Sequence, residues 1–382
     1  MLKTKKIFII AGEPSGDLHG SNLIKAIRKI ENNCSFMGHG GDLMKSEGVQ
    51  ILEHIDNLSF MGFTEVFYQL PKIINIFEKT KKAIKKTNPD RVILIDYPGF
   101  NLRLAKEIFS FSIPITYYIL PQVWAWKKNR IKVINQFIDQ SISIFPFEKD
   151  WYSKNNIRVE YFGHPFTDEA HLGETSKSFY NRHQLTIEYP ILLLLPGSRK
   201  QEIERHWPIF LKVVDSIKKD YPNIQFLLGK APAFKIDDIP KDIKVEVDPK
   251  KAMIVSTAAI VASGTATLEC AIEELPMVVC YKMSKISWLI AKFLTKIKFS
   301  SMVNIIADKK IVPELLQKNM TKRNIVKEIL PLLEINSKER INMVDKIKLI
   351  KNTLGEPGVY DRTAKSILKR TTFYEDRNIN KI

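Results

Sequence analysis

The chain has 382 residues, 45% of them hydrophobic, and carries a net charge of +17. That length suits two domains with cores of their own, and the charge biases the surface toward anions: nucleic acid, anionic lipid headgroups or phosphorylated substrates. Cys34, Cys270 and Cys280 are scattered, with no CxxC and no zinc spacing, so a reducing cytoplasm fits best, and no run approaches the roughly 18 to 20 apolar residues of a membrane span.

The first elements follow from hydrophobic patterning. The basic N-terminal residues resemble a signal n-region, but the apolar run after them stops at Gly12-Glu13, too soon for a signal peptide. Residues 5–11 are therefore predicted as a buried strand, and a helix is predicted from about Leu18 to Ile30. The turn between them, Gly12-Glu-Pro-Ser-Gly-Asp17, holds two acids. Glu13, Ser15 and Asp17 either line an acceptor pocket or cap the helix through Ser15. The turn is not GxGxxG, which weakens a dinucleotide reading.

Residues 60–77 are densely apolar, with Phe63, Phe67, Tyr68, Leu70 and Ile74 among them, and Lys79, Lys81, Lys82, Lys85 and Lys86 follow. An amphipathic helix beside a basic run suits an anionic membrane or an acyl chain. A core-facing helix with a solvated lysine face fits equally well. Residues 286–299, with Trp288 among lysines, repeat the theme.

Val92 to Ile95 form a continuous apolar strand of the parallel-sheet kind. Asp96 stands at its carboxyl end, before Tyr97-Pro98-Gly99-Phe100-Asn101. A general base belongs there, and so does an aspartate that caps the next helix. Further strands are predicted at 115–119, 141–145 and 158–162. Val123 to Arg130 mixes aromatics with cations, which suits base stacking, a lipid interface or packing between domains. His164 reads as a structural histidine in a polar bridge over 164–189.

A second alternating block has predicted strands at 191–195, 224–228, 243–247, 259–262 and 277–281, and the chain turns helical and charged from about 322. Two loops in this block carry the strongest chemical signal: Leu195-Pro-Gly-Ser-Arg199 and Ser263-Gly-Thr-Ala-Thr-Leu-Glu-Cys270. Each leaves an apolar strand through small residues and opens a helix. A helix N-terminus offers free amides and partial positive charge to a phosphate. Gly197, Ser198 and Arg199, with Gly264, Thr265 and Ala266, thus read as a diphosphate cradle, in which Arg199 clamps bidentately. Ser263 and Thr267 add hydroxyl donors, and Glu269 is placed to accept ribose hydroxyls. Two ordinary βα turns are the alternative. No DxD, HExxH or histidine cluster suggests a metal.

This alternation predicts an α/β protein with two Rossmann-like, doubly wound domains, 1–165 and 166–345, and a helical segment over 346–382. The motifs AGEPSGDLHG at 11–20, IDYPGFN at 95–101, PQVWAWKKNR at 121–130, FPFEKDWY at 145–152, GHPF at 163–166, LPGSR at 195–199, ASGTATLEC at 262–270, PMVVCYKM at 276–283 and SSMVNIIAD at 300–308 together resemble the lipid-A-disaccharide synthase family. The resemblance runs in order from about residue 5 to at least 320 and weakens beyond about 340.

That resemblance implies a GT-B architecture facing across a cleft, with no metal or other cofactor. It implies transfer of 2,3-diacylglucosamine from UDP to 2,3-diacylglucosamine 1-phosphate (lipid X) in lipid A biosynthesis, in the cytoplasm against the anionic inner membrane of a Gram-negative bacterium. By the same resemblance Asp96 is the catalytic base, Arg199, Gly264, Thr265 and Glu269 bind the donor, and Asn304 is a required polar residue of the donor domain. Glu13 and Asp17 match an acidic turn, and 60–77 a region of lipid contact. The C-terminal helices either cross back onto the first domain or swap within a homodimer. A UDP-sugar epimerase of the same architecture and a basic nucleic-acid-binding protein are the rivals. The phosphate loops and Asp96 argue against a nucleic-acid partner.

Overall fold

The computed structural model describes residues 4–58, 70–125, 128–168, 176–230, 236, 238–284, 287–289 and 298–369. The chain forms two compact units, one running to Asp168 and resuming at Gly355, the other spanning Glu169 to Leu354.

The first unit is built on β1 (Lys5–Ile10), β2 (Cys34–Gly40), β3 (Gln50–His54), β4 (Arg91–Ile95), β5 (Ile115–Tyr118), β6 (Gln140–Ser143) and β7 (Val159–Tyr161). They lie in the order β3-β2-β1-β4-β5-β6-β7, and every pairing is parallel. Ile7 to Ile10 and Val92 to Ile95 are buried throughout, as strands covered on both faces must be. Each such side chain stabilises the fold by about 1.5–3 kcal/mol. The strand order reverses between β1 and β4, so ligands are expected at the carboxyl ends of those two strands.

Helices α1 (Pro14–Ile30), α2 (Asp42–Ser46), α3 (Leu70–Thr87), α4 (Pro98–Ile108), α5 (Arg130–Phe137) and α6 (Pro146–Ser153) belong to this unit. Two features differ from the sequence expectation, and a third bears on alternatives it left open. First, α1 begins at Pro14, not Leu18, because proline is pre-organised for a first helical position and needs no N–H there. Second, β2 and β3 had no strand signature. Cys34-Ser-Phe-Met-Gly-His-Gly40 has no β-branched residue, and pairing with β1 makes it a strand. Third, α3 buries Ile76, Thr80 and Ile84, a stripe at spacing of four, so this face of the helix packs on the core. Ile74 stays 60% exposed. Phe63, Phe67 and Tyr68 lie outside the described residues, and Leu70 opens α3.

The second unit holds β8 (Ile191–Leu195), β9 (Gln225–Gly229), β10 (Ile243–Glu246), β11 (Ala258–Ala262), β12 (Met277–Tyr281) and β13 (Glu314–Leu316). Its parallel order is β10-β9-β8-β11-β12-β13, which reverses between β8 and β11. Its helices are α7 (Ser176–His183), α8 (Lys200–Asp220), α9 (Pro249–Val255), α10 (Ala266–Ile272), α11 (Met302–Ala307), α12 (Lys322–Leu333) and α13 (Lys338–Thr353). The bridge after residue 164 is therefore partly helical. Buried Glu246 anchors α7 through His183 at 2.9 Å and Arg182 at 2.7 Å.

A last helix, α14 (Val359–Lys369), returns to the first unit. Asp168 accepts the amides of Gly358, Val359 and Tyr360 at 2.5–2.8 Å, and the Tyr360 hydroxyl meets His19 Nδ1 at 2.8 Å. The expected boundary at 346 thus moves: α13 stays with the second unit, and the crossing starts at Gly355.

Candidate active site

In the first unit the site grows from the ends of β1 and β4. Ile10 pairs with Leu94, so Glu13 and Asp96 leave adjacent strand ends. Asp96 and Tyr97 both adopt left-handed backbone, at φ 43° and 48°. Such conformations are costly for non-glycine residues and hold only where surroundings enforce them. Here the Asp96 carbonyl accepts the Asn101 side-chain amide at 2.7 Å and the Tyr117 hydroxyl at 2.6 Å. The Tyr97 ring lies against Phe100, and its hydroxyl donates to the Leu58 carbonyl at 3.0 Å.

The strand-end turn is thus braced through its backbone, and the carboxyl group is left to its electrostatic setting. Burial, and then the charge of Glu13, push the Asp96 pKa up to about 6, against the pull of the Tyr97 amide and of Arg130. A carboxylate at that value is a better proton acceptor than a free one and is still ionised at neutral pH.

The acidic turn separates into parts. Glu13 is the residue before α1 and makes no capping bond with its side chain; Ser15 is exposed in the first turn and is not the cap. Asp17 is buried and turned elsewhere: its carboxylate accepts the amides of Gly41, Leu43 and Met44 at 2.7–3.1 Å. It caps α2 from a distance.

The described part of Val123 to Arg130 packs within the first unit, not between domains. The Trp124 indole donates to Glu148 at 2.9 Å and meets Phe147 edge-on. Glu148 is fully buried, which pushes its pKa up to about 8 and keeps it protonated at neutral pH. Arg130 opens α5 and acts on Asp96 electrostatically; Trp126 and Lys127 lie outside the described residues. His164 is buried between Phe145 and Phe166 and accepts the Phe166 amide. It lies in the first unit rather than in a linker.

In the second unit the two small-residue loops leave β8 and β11, the neighbouring strands at the reversal. Gly197 has φ 120°, and a Cβ there would sit 2.6 Å from a Glu202 carboxylate oxygen. That oxygen accepts the Ser198 amide at 3.3 Å. Arg199 precedes α8, keeps 69% of its side chain exposed, and pairs with Glu202 at 3.6 Å.

At the other loop a Cβ on Gly264 would meet nothing within 4 Å, so the space above its backbone is open. Thr265 is the exposed residue before α10 and Ala266 its first residue. The Ser263 and Thr267 hydroxyls are engaged within the protein, with Ser300 and with the Gly264 carbonyl. Of the three hydroxyls expected to serve a phosphate, that of Thr265 has no such engagement among the described residues. Glu269, one turn into α10, pairs with Lys250 at 3.8 Å; burial raises its pKa and Lys250 opposes the rise.

The Asn304 side chain is engaged within the protein. It is fully buried on α11. Its amide nitrogen donates to the Val312 carbonyl and to Glu314, and its oxygen accepts the Ile311 and Val312 amides, all at 2.6–3.0 Å. Two donors and two acceptor positions are therefore used. Glu314 in turn holds the amides of Ser300 and Ser301, so Asn304 shapes the segment that meets Ser263.

Sequence reasoning missed Asn101, Tyr117, Glu202 and His206. The signal for the last two was present: spaced by four just after a phosphate-type loop, they share the helix face beneath it. Trp288 is half-buried. Among the described residues no three or more His, Cys, Asp or Glu side chains gather as metal ligands would, and no described helix is long and apolar enough to cross a membrane.

A family model described as lipid-A-disaccharide synthetase matches residues 7–368. The chain belongs to the lipid-A-disaccharide synthase family. The match extends well past residue 340, where the motif resemblance had weakened. The lipid-A-disaccharide synthase of Myxococcus xanthus is 34% identical over 377 residues, 97% of this chain and 98% of that one.

Among solved structures, the UDP-GlcNAc 2-epimerase of Neisseria meningitidis bound to UDP-GlcNAc aligns with TM-score 0.66 and 13% identity, over 96% of this chain and 100% of the other. A kitacinnamycin glycosyltransferase aligns with TM-score 0.66 and 10% identity, over 96% and 99%. These likenesses are of fold alone and fit two Rossmann-like domains of the GT-B kind. As a member of the synthase family the chain is a glycosyltransferase of lipid A biosynthesis, which sets aside the epimerase and nucleic-acid readings.

Proposed function

We propose that this chain joins UDP-2,3-diacylglucosamine to 2,3-diacylglucosamine 1-phosphate, giving the β(1→6)-linked disaccharide 1-phosphate and UDP. The family match over residues 7–368 carries the reading. The donor is α-linked and the product β, so one in-line displacement suffices. The acceptor 6-hydroxyl attacks C1 of the donor sugar and the bond from C1 to the diphosphate breaks. Asp96 takes the hydroxyl proton, and UDP departs.

The raised pKa of Asp96 at the β4 end supports its role as base. Glu13 and Ser15, at the adjacent strand end, are assigned to the acceptor side. Asp17 is left out because α2 occupies its carboxylate. On the donor side, Gly197, Ser198 and Arg199 with Gly264, Thr265 and Ala266 meet the charge that grows on the leaving diphosphate. Fixed donors of that kind typically contribute about 10²–10³ in rate. Glu269 takes the ribose hydroxyls, exchanging its contact with Lys250.

Both substrates carry acyl chains, so the reaction belongs at the cytoplasmic surface of the inner membrane. The charge of +17 and the exposed Ile74 and Leu289 support contact with anionic lipid. The test mixes purified protein with both substrates in detergent micelles containing EDTA and follows UDP and disaccharide by mass spectrometry. Disaccharide forming only with both substrates present is expected. Folded protein that binds UDP but makes no disaccharide would overturn the reading.

A further inference from the structure

His206 is wholly buried on α8, one turn beyond Glu202. Its Nδ1 lies 2.7 Å from the Pro196 carbonyl, and its Nε2 lies 2.9 Å from the Lys282 amide. An amide nitrogen only donates, so Nε2 is the acceptor and the proton sits on Nδ1, donated to Pro196. Both ring nitrogens are thereby committed to backbone.

The two backbone groups belong to different strand ends. Pro196 follows β8 and begins the Gly197-Ser198-Arg199 turn; Lys282 follows β12. These strands flank β11, whose continuation is Ser263-Gly264. The Ser263 amide itself donates to the Cys280 carbonyl of β12 at 3.0 Å. The imidazole is therefore a strut across the strand end from which the second loop departs.

A second contact path closes the frame. The Tyr281 ring packs on His206 with centroids 5.5 Å apart. The Tyr281 hydroxyl donates to Glu202 at 3.2 Å, and Glu202 receives the Ser198 amide and pairs with Arg199. Burial pushes the His206 pKa down, so the neutral ring this geometry needs persists at neutral pH. A buried imidazole costs desolvation that an apolar ring would not. What it supplies in return is direction: two bonds that set the height of one loop against its neighbour.

We propose that His206 is a positioning residue for the donor: it holds the Pro196–Arg199 turn in the register that receives the diphosphate, through loop backbone rather than by touching substrate. The inference rests on the donor-site reading above. Phenylalanine at 206 keeps a ring but removes both bonds. Glutamine keeps one donor and one acceptor.

His206→Phe is expected to raise the Kd for UDP and the KM for the UDP-sugar about tenfold, the worth of two ordinary hydrogen bonds. The acceptor KM is expected to stay within about twofold. His206→Gln should recover at least half of the lost affinity on a logarithmic scale. A role confined to core packing would instead lower Tm and leave the KM values alone.

In the wild-type protein, UDP should slow amide exchange in peptides covering 195–200 and 281–283 together. If His206→Phe does not fold, the glutamine variant and this exchange experiment decide. Unchanged UDP affinity in a folded His206→Phe, or protection of only one of the two segments, would overturn the inference alone. Failure of the wild-type protein to bind UDP would overturn the donor-site reading with it.

Discussion

The ring of Tyr97 occupies the space a side chain at Gly12 would need: a Cβ there would lie 2.3 Å from Tyr97 Cδ1 and 2.4 Å from Cγ. The end of β1 and the turn after β4 are thus fitted to each other, and the fit sets the residue next to Asp96. Gly12→Ala must push the ring away, toward loss of its bond to Leu58. Overpacking of this kind costs about 1–3 kcal/mol. Turnover is expected to fall more than about tenfold, beyond what the Tm shift explains. Full turnover in a protein of lowered Tm would show that Tyr97 does not govern Asp96.

The Asp96 carboxyl titrates near 6, against about 3.9 for an unperturbed aspartate. As a base it works ionised, so kcat/KM is expected to decline as pH falls through about 6. Glu13→Gln removes a charge that raises this pKa, and should move the acid limb to lower pH. Stability runs the other way. A carboxyl whose pKa is raised by folding stabilises the fold below its unfolded value, and that contribution is lost as pH rises through the folded value. At pH 8 the ionised group is a cost, so Asp96→Asn should raise Tm while turnover drops at least about 10²-fold and UDP still binds. A pH–rate profile with no limb near 6 would remove Asp96 as the base.

The place of Asp96 was readable because it depends on a local pattern: an apolar strand, then a polar residue, then Pro98-Gly99. What braces it was not. Asn101 lay in the quoted motif and Tyr117 in an expected strand, but nothing local says that both reach the Asp96 carbonyl. Asp17 shows the same limit. Its partners stand 24 to 27 residues ahead, at a helix of five residues with almost no periodic signal. The strands β8 and β11 announced themselves as unbroken apolar runs. By contrast β2, β3 and the three-residue β13 are strands through their neighbours, which is information a single segment does not hold.

Asn304 separates a ligand contact from a structural clamp. Asn304→Ala leaves the Ile311 and Val312 amides without their acceptor in the interior, at about 1–3 kcal/mol for each unsatisfied group. A marked fall in Tm is expected even without substrate. Asn304→Asp keeps the acceptor but sets a carboxylate against Glu314, and should be no better. Loss of UDP binding at unchanged Tm would place Asn304 on the ligand instead.

Arg199 is expected to behave in the opposite way. Its side chain is largely exposed, and solvent screens its 3.6 Å pair with the mostly buried Glu202 from the arginine side, so Arg199→Ala should shift Tm by about a degree or less, since a pair made by an exposed side chain stabilises little. Turnover should nevertheless fall about 10²–10³-fold, with Lys recovering only part because it lacks the planar fork. If these fixed donors carry the leaving-group charge as proposed, EDTA should leave the wild-type rate intact. A strict Mg²⁺ requirement would contradict that assignment.

The proposed membrane contact rests on charge and exposed apolar surface acting together. Lys79, Lys82, Lys85 and Lys86 are exposed along α3, the helix that also exposes Ile74. Each basic residue near an anionic surface contributes about 1 kcal/mol, screened beyond a Debye length. Binding to vesicles containing anionic lipid is expected to exceed binding to neutral vesicles, and to weaken steeply between 50 and 500 mM salt, about the range over which screening becomes complete. Replacing Lys82, Lys85 and Lys86 by Gln should flatten that salt dependence and leave turnover in detergent micelles unchanged, since all three are exposed on α3 and none belongs to the Asp96 turn or the donor loops. Equal, salt-independent partitioning onto both kinds of vesicle would mean that apolar contact alone brings the protein to its lipid substrates.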